Sequence, residues 1–459
     1  MKKLTIIGAG SIMFTRQLLS ALFACKNLPP VKVVLEDLSH GKLEETYRLI
    51  GLMVEQAGVP VTLTMSTDQK EALRGADFVI NAIQVGGLEP WRLDMEIPKK
   101  YGVDQEVGDT LGPGGIFRAL RQIPPTLSVA RDMEEVCPDA LLLNYANPLA
   151  PLTWAVNKAT SIQCIGLCYG VRYTASQLAG YLGVGPWVEH PHTPEAWQAL
   201  MYHDVPEGFE YTFGGINHMT WLLDVRYQGR DMYPAIRALP DNDKAYDSDG
   251  VRCEVLKMFN YWCTENHWHM TDYVPWFRKN EAMINQFLPR RWNLLALEEK
   301  VHASAQAEVE RQLAGKQPFR IERNMLNAPK LIEAMLTGER TRINGNLPNQ
   351  TADGLLIPNL PAECMVEVPI HVDKAGLHPV AVGPLPTACA ALNKTNINVQ
   401  ELVVEAALTG DLTAARQALA MDPVTGMACT LEQCHQMFAE LAEAQKPWLD
   451  SRYFADKQG

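Results

Sequence analysis

Cysteine is present without the spacings that metal ribbons or redox pairs require. The ten cysteines lie at positions 25, 137, 164, 168, 253, 263, 364, 389, 429 and 434, and no two form a CxxC pair. A zinc-ribbon or thioredoxin-type reading is thereby excluded. No apolar run reaches the roughly 20 residues that a membrane-spanning helix needs. Met1-Lys2-Lys3 leads straight into a strand pattern, with no signal-type apolar segment. A cytoplasmic protein is expected, with most cysteines as plain core residues in a reducing compartment. Positive charge is in deficit: 41 Lys and Arg stand against 53 Asp and Glu, a net charge of −12. That balance argues against nucleic acid or an anionic membrane as partner. No internal repeat and no low-complexity linker divides the chain. What remains is a chain of 459 residues, 47% hydrophobic, with ample material for a large core and for one large domain or two to three smaller ones.

The first forty residues carry a ligand signature. Leu4 to Ile7 reads as a strand, Gly8-Ala9-Gly10-Ser11 as a turn, and Ile12 to Ala24 as a helix. Val31 to Leu35 is a second β-branched run that ends in Glu36-Asp37. Strand, glycine turn, helix, strand and acid form the dinucleotide-binding pattern. In it the glycines let a pyrophosphate approach the helix N-terminus, and the acid accepts hydrogen bonds from ribose hydroxyls. Met13 holds the place of the third fingerprint glycine. Asp37 favours NAD over NADP, because it would repel a 2′-phosphate. The strand-helix alternation continues through Val61–Met65, Asp68–Leu73, the strand Gly75–Ala82 containing Asn81, Ala140–Leu143 and Ile162–Leu167. Polar or unusual residues recur at the strand ends: Gln84, Asn144, Asn147 and Cys168. In a doubly wound sheet those ends converge on one crevice.

The stretch from Gln105 to Arg121 holds four glycines, one proline, two carboxylates and two arginines. It reads as a loop on which a ligand can rest, with a helix starting near Ile116; a turn stabilised by an Asp109–Arg118 ion pair is the alternative. Beyond residue 190 strands and helices mix. Pro240 to Gly250 reads as a polar surface excursion, and Leu294 to Leu313 as a solvent-facing amphipathic helix.

Together these motifs resemble glycoside hydrolase family 4, the NAD- and metal-dependent glycosidases, in its α-galactosidase, α-glucosidase and α-glucuronidase-like branch. The resemblance runs nearly end to end: Gly8-Ala9-Gly10-Ser11, Asp37, Gly75-Ala76-Asp77, Arg92 with Ile97-Pro98, the loop Gln105–Arg121, Asn147-Pro148, Gly166-Leu167-Cys168, Gly215-Ile216-Asn217-His218-Met219, Glu265–Phe277, Val366-Glu367-Val368-Pro369 and Gly383-Pro384-Leu385-Pro386. It implies an α/β fold, with a Rossmann-type NAD-binding lobe over residues 1–190, like that of lactate and malate dehydrogenases, and a mixed α+β lobe over 191–459. It also implies a homodimer or homotetramer acting on a small-molecule glycoside.

The implied chemistry departs from two-carboxylate hydrolysis. NAD⁺ takes a hydride from C3 of the sugar, a base removes the acidified C2 proton, the C1–oxygen bond breaks by elimination, water adds, and the hydride returns. A divalent metal, Mn²⁺ or alternatively Fe²⁺, Co²⁺ or Ni²⁺, stabilises the developing charge. By resemblance, Cys168 and His218 are the metal ligands and Asn147 contacts substrate near the metal. Asp272 is the base, with Tyr261 and Tyr273 as alternatives. Gly8, Gly10, Ser11, Asp37 and Asn81 hold the cofactor, while Arg92, Glu106 and Arg278 are placed on the substrate side. One residue departs from the family pattern: the position after the cysteine, often His, Asp or Asn, is Tyr169 here. Tyr169 is the candidate general acid, or a surface on which the sugar ring stacks. The expected substrate is an unphosphorylated, α-linked hexoside. The alternatives are an acidic sugar (a glucuronide, galacturonide or sulfoquinovoside), a 6-phospho-glucoside, or a plain hydroxy-acid dehydrogenase reaction. A sugar- or NAD-sensing protein without turnover is a further alternative.

Overall fold

The computed structural model describes residues 1–188, 190–264 and 266–454. Glu265, which opens one motif of the resemblance, lies outside the described residues. The strands are β1 (Lys2–Ile7), β2 (Val31–Glu36), β3 (Val61–Ser66), β4 (Phe78–Asn81), β5 (Leu141–Asn144), β6 (Cys164–Gly166), β7 (Phe209–Ile216), β8 (Met219–Tyr227), β9 (Arg230–Asp231), β10 (Trp262–Cys263), β11 (Thr341–Pro348), β12 (Gln350–Thr351), β13 (Gly354–Leu355), β14 (Met365–Asp373) and β15 (Gly376–Pro379).

One sheet runs in the order β10-β8-β7-β14-β11-β6-β5-β4-β1-β2-β3, with β15 and β9 on its side branches; β12 and β13 form a separate pair. The portion β3-β2-β1-β4-β5-β6 is parallel throughout. Its order is that of a doubly wound dinucleotide-binding sheet, whose ligands sit where the order reverses, between β1 and β4. Every residue of β4 and β5 is buried, as expected of parallel strands covered by helices on both faces. The sheet continues into the second half through a single register point, Asn346 against Gly166. From there the pairing is antiparallel, so the mixed half extends the same sheet. Most buried apolar side chains form one core along it. A second core gathers around Leu178, Phe213, Leu222 and Trp262.

Three expectations about elements are corrected. The helix after the glycine-rich stretch begins at Gly112, not near Ile116, and runs unbroken to Val136. Pro113 fits its first turn because the amide hydrogen it lacks has no helical partner there. Gly114 and Gly115 are helical glycines that permit close packing: a Cβ on Gly114 would overlap the Gly108 carbonyl oxygen, and one on Gly115 the Thr110 backbone. Second, Pro240–Gly250 lies at the surface over Asp241–Lys244 as expected, but it opens the helix Asp243–Phe259 and carries the fully buried Asp249. Third, the helix Leu294–Leu313 is not simply solvent-facing, because Leu294, Glu298 and His302 line a cavity. No helix among the described residues is long and apolar enough to cross a membrane.

Candidate active site

The crevice has two connected parts. One is built on the β1 turn. Gly8 adopts φ +84°, and a side chain there would meet the backbone of Ala82 at 2.9 Å. The Gly10 N–H donates to Asp37 Oδ2 at 2.9 Å, and a Cβ on Gly10 would lie 2.6 Å from that oxygen. Asp37 Oδ1 accepts the Ser39 N–H at 2.8 Å. The acid that ends β2 is thus fixed against the glycine turn, with its carboxylate on the crevice wall beside Ser11 and Gln84. Glu36 lines the same wall, and burial with the Asp37 charge pushes its carboxyl up to about 7. Its Oε1 has no partner among the described residues. Backbone that only glycine tolerates, a fixed acid and an unsatisfied buried acceptor fit the pyrophosphate and ribose of a dinucleotide.

The second part is a cavity of about 280 Å³ that shares Ser11, Met13, Gln84 and His302 with the first. Cys168 follows β6. Its sulfur accepts the Gly170 N–H at 3.3 Å, at the start of the helix Gly170–Tyr181, a setting that suits a thiolate. The Cys168 carbonyl accepts from Asn327 at 3.0 Å and from Asn344 at 2.8 Å, which fixes the backbone beneath the sulfur. His218 lies in the tight turn between β7 and β8, after a cis peptide from Asn217. Gly215 makes the turn possible, because a Cβ there would meet the Met219 carbonyl oxygen at 2.6 Å. His218 Nδ1 lies 3.2 Å from the Tyr273 hydroxyl and 3.4 Å from that of Thr110. Burial lowers the His218 imidazole to about 4 against the opposing pull of Asp109, and lowers neighbouring His269 to about 3. The ring is therefore neutral at ordinary pH, as a metal ligand must be, and its outer nitrogen is oriented by a hydroxyl. A thiolate and a neutral imidazole on one cavity wall fit a borderline divalent ion.

Asn147 reaches the same wall after β5, with its Nδ2 donating to Asp109 Oδ2 at 2.8 Å. Its carbonyl accepts from Arg118 Nε at 3.2 Å. Asp109 also accepts the Thr110 hydroxyl at 2.7 Å. Burial would raise the Asp109 carboxyl, but Arg118 and the nearby imidazoles outweigh it and hold it below the ordinary carboxylate range. Trp91, Tyr145, Trp197 and Trp292 supply apolar walls, the surfaces on which sugar rings pack. Tyr169 lines the cavity beside Cys168.

Several sequence candidates lie elsewhere. Asp272 is fully buried outside the cavity lining, and its carboxylate accepts the backbone N–H groups of Glu106 at 3.1 Å and Val107 at 2.9 Å. Arg278 Nε sits 3.1 Å from Asp272 Oδ1, and burial, partly offset by that charge and the N–H groups, raises the carboxyl to about 6. A carboxylate so fully engaged holds the glycine-rich loop in place, which corrects the expectation that Asp272 is the base. Glu106 and Arg278 belong to the same network. Glu106 accepts the Trp292 N–H at 2.9 Å and the Asn293 N–H at 3.1 Å, and lies 3.2 Å from Arg278. Neither lines the cavity, so the substrate contact expected of each is corrected to a supporting one. Arg92 is half-exposed and pairs with Glu299 and Glu89, outside the cavity. Asn81 is buried and lines neither part of the crevice; its side-chain amide donates to Asn144 at 3.0 Å and its side-chain carbonyl accepts the Ile83 N–H at 3.4 Å, so it supports the loop after β4. Tyr261 packs against Tyr233, away from the cavity.

Sequence reasoning misses Glu298 and His302. A signal exists as a polar pair four apart, at helical spacing from Leu294, but nothing in the sequence distinguishes a stripe facing a cavity from one facing water. A further buried group of His190, Asp249 and His267 has metal-like proximity. Asp249, however, is already saturated by Arg252 at 2.8–2.9 Å and by the Tyr181 hydroxyl at 3.2 Å, which makes it the anchor of a buried ion pair.

Comparison with known proteins agrees with this geometry. Residues 3–184 match the family 4 glycosyl hydrolase model, and residues 213–425 match the model of the family 4 glycosyl hydrolase C-terminal domain. The chain is 36% identical to an α-galactosidase of Rhizobium meliloti, covering 97% of this chain and 89% of that protein. It is likewise 36% identical to an α-galactosidase of Bacillus subtilis, covering 98% and 99%. Among solved structures, the 6-phospho-α-glucosidase from gut microorganisms in complex with NAD and Mn²⁺ superposes with a TM-score of 0.78 at 19% identity, covering 98% and 99% of the two chains. The chain belongs to glycosyl hydrolase family 4.

Proposed function

We propose that the protein is a glycoside hydrolase that cleaves an unphosphorylated α-linked hexoside, an α-galactoside before others, with NAD and a divalent metal such as Mn²⁺ as cofactors. The observation that carries this reading is the convergence of Cys168, His218, Asn147 and the cofactor turn on one crevice. Full-length identity to two α-galactosidases supports the sugar. When bound, NAD supplies reversible hydride removal at C3, and the metal supplies Lewis acidity at the neighbouring sugar oxygens.

The remaining work falls to side chains. Cys168 and His218 hold the metal, and the Tyr273 and Thr110 hydroxyls orient His218. Asn147, held by Asp109, presents its amide to the sugar. Gly8, Gly10, Ser11 and Asp37 hold the dinucleotide, with Asn81 supporting the loop after β4. Tyr273 is the base at C2: none of the three sequence candidates lines the cavity, but the Tyr273 hydroxyl is the one that lies beside His218, at 3.2 Å from its Nδ1. Its neighbour Asp272 sets the glycine-rich loop. Tyr169 packs on the sugar or on its leaving group. A homodimer or homotetramer in the cytoplasm completes the proposal, and light scattering on the purified protein tests the assembly.

The chemistry is tested by turnover in D₂O. Redox-elimination predicts deuterium at C2 of the released sugar and no net NADH. A simple dehydrogenase predicts stoichiometric NADH, and direct displacement predicts no deuterium at C2.

A further inference from the structure

The helix Leu294–Leu313 spans both parts of the crevice, and its Leu294, Glu298 and His302 occupy successive turns of one face on the cavity wall. The Glu298 side chain is 17% exposed, with its carboxylate 3.5 Å from His302 Nε2. No residue of the proposed reaction needs it. Among the described residues that line the cavity, Arg118 is the one lysine or arginine. It is already turned to Asp109 and to the Asn147 carbonyl. The side chains of the cavity therefore offer a sugar two carboxyl groups, Asp109 and Glu298, and a single cation that is committed elsewhere. Mn²⁺ and NAD⁺ would add positive charge near Cys168, His218 and the cofactor turn, so the discrimination belongs to the part of the sugar that lies beside Glu298. A second anion in such a place is repelled at low dielectric, whereas a hydroxyl can donate to a carboxylate.

We propose that Glu298 is a specificity-determining residue: its carboxylate accepts a hydrogen bond from a hydroxyl of an uncharged hexose and, with Asp109, turns away sugars that carry a carboxylate, sulfonate or phosphate. This rests on the glycosidase reading above and names the substrate class of that same site. It sets the uronide, sulfoquinovoside and phospho-sugar alternatives aside on the charge of the cavity.

The charged groups that act on Glu298 are Arg118 and Asp109, which line the same cavity, and His302 one turn along its own helix. Arg118 stays charged at any ordinary pH. Asp109 is held low, and burial with Lys42 lowers His302. Burial and Asp109, against Arg118, raise Glu298 to about 7. Glu298 is thus the group of this set that changes charge near neutrality, while Glu36, which also titrates there, lies in the cofactor part, and rejection of anions strengthens from pH 6 to pH 8.

The test is calorimetric binding of galactose against galacturonate, and of glucose against glucuronate, to the protein loaded with NAD⁺ and Mn²⁺. Wild type should prefer the neutral sugar of at least one pair by about tenfold or more at pH 8, and the preference should shrink several-fold at pH 6. Glu298→Gln should show a several-fold smaller preference that does not change with pH, with NAD⁺ affinity intact. If the variant fails to fold, the wild-type pH profile alone decides. A preference in Glu298→Gln equal to that of wild type, a flat wild-type profile, tighter binding of the uronate, or no binding of any sugar would overturn the inference. Hydrolysis of a neutral α-glycoside with an unchanged preference sinks this inference and leaves the proposed function standing. Charge discrimination without redox-elimination does the reverse.

Discussion

At the scale of single residues, the site divides into groups placed to touch ligand and groups that hold those groups still. In the proposed function Cys168 and His218 belong to the first kind. Cys168→Ser should lower Mn²⁺ affinity by at least about 100-fold while leaving NAD⁺ binding within a fewfold, measured by calorimetry with each ligand. Unchanged Mn²⁺ affinity would remove Cys168 from the metal site. Tyr273→Phe should reduce C2 exchange by about 10²–10⁴-fold, with Mn²⁺ still bound. Exchange at the wild-type rate would return the base to another group. Asp272 belongs to the second kind: Asp272→Asn removes the carboxylate that pairs with buried Arg278 and should cost on the order of 3 kcal/mol in denaturant unfolding.

These two neighbours show where the residues alone stop being legible. Both Asp272 and Tyr273 are buried on a seven-residue helix, all of whose residues are buried. Nothing in the order Thr-Asp-Tyr says which of them reaches His218 and which reaches the Glu106 and Val107 amides. The Asp37 acid is legible, because strand, turn and helix fix its distance from the glycines. Glu298 is not, because the wall it belongs to comes from residues on opposite sides of the glycine-rich loop.

At the scale of elements, the glycine-rich loop and the helix that starts at Gly112 form the site's central support. The Gly112 N–H donates to Asp422 Oδ2 at 3.1 Å, which ties the helix start to the C-terminal helices. The loop's other end is held by Asp272 and Glu106. Gly114→Ala places a methyl group against the Gly108 carbonyl oxygen and should destabilise by about 1–3 kcal/mol, read as a lower melting temperature. A melting temperature equal to wild type would mean that the loop is free to shift. Helical starts and strands with clean periodicity are readable from the chain. The start of this helix is misplaced by such a reading because three glycines and a proline argue for a loop when taken one at a time. Tertiary contact with the Gly108 and Thr110 backbone is what selects them.

The cavity helix Leu294–Leu313 adds a pH term of its own. With its carboxyl raised by burial and Asp109, Glu298 contributes stability that is present below its ordinary value near 4.5 and lost as pH rises through about 7. Glu298→Gln removes that loss, so the stability of the variant relative to wild type should increase between pH 5 and pH 8 in denaturant titrations. A difference that is constant with pH would mean that the carboxyl titrates in its ordinary range.

At the scale of the whole molecule, a single sheet carries two half-sites. The parallel part presents the glycine turn at the β1/β4 reversal, and the antiparallel part brings His218, from the β7–β8 turn, to the cavity that Cys168 also lines after β6. The strand-helix alternation of the first half suffices to specify the dinucleotide lobe, because each strand end follows from local periodicity and turn residues. The joining of β6 to β11 through Asn346 and Gly166 leaves no local trace, which is why the chain reads as two lobes that prove to share one sheet.

The central claim, that glycoside cleavage here depends on a transient oxidation, is tested most directly by nitrophenol release from protein stripped of NAD and metal. The panel contains α- and β-nitrophenyl galactoside, glucoside, glucuronide, galacturonide, sulfoquinovoside and 6-phosphoglucosides, each with and without added NAD⁺ and Mn²⁺ under reducing conditions. The account predicts release from an unphosphorylated α-glycoside only when both are added, with no net absorbance of NADH. Equal release from the stripped protein without either addition would contradict it.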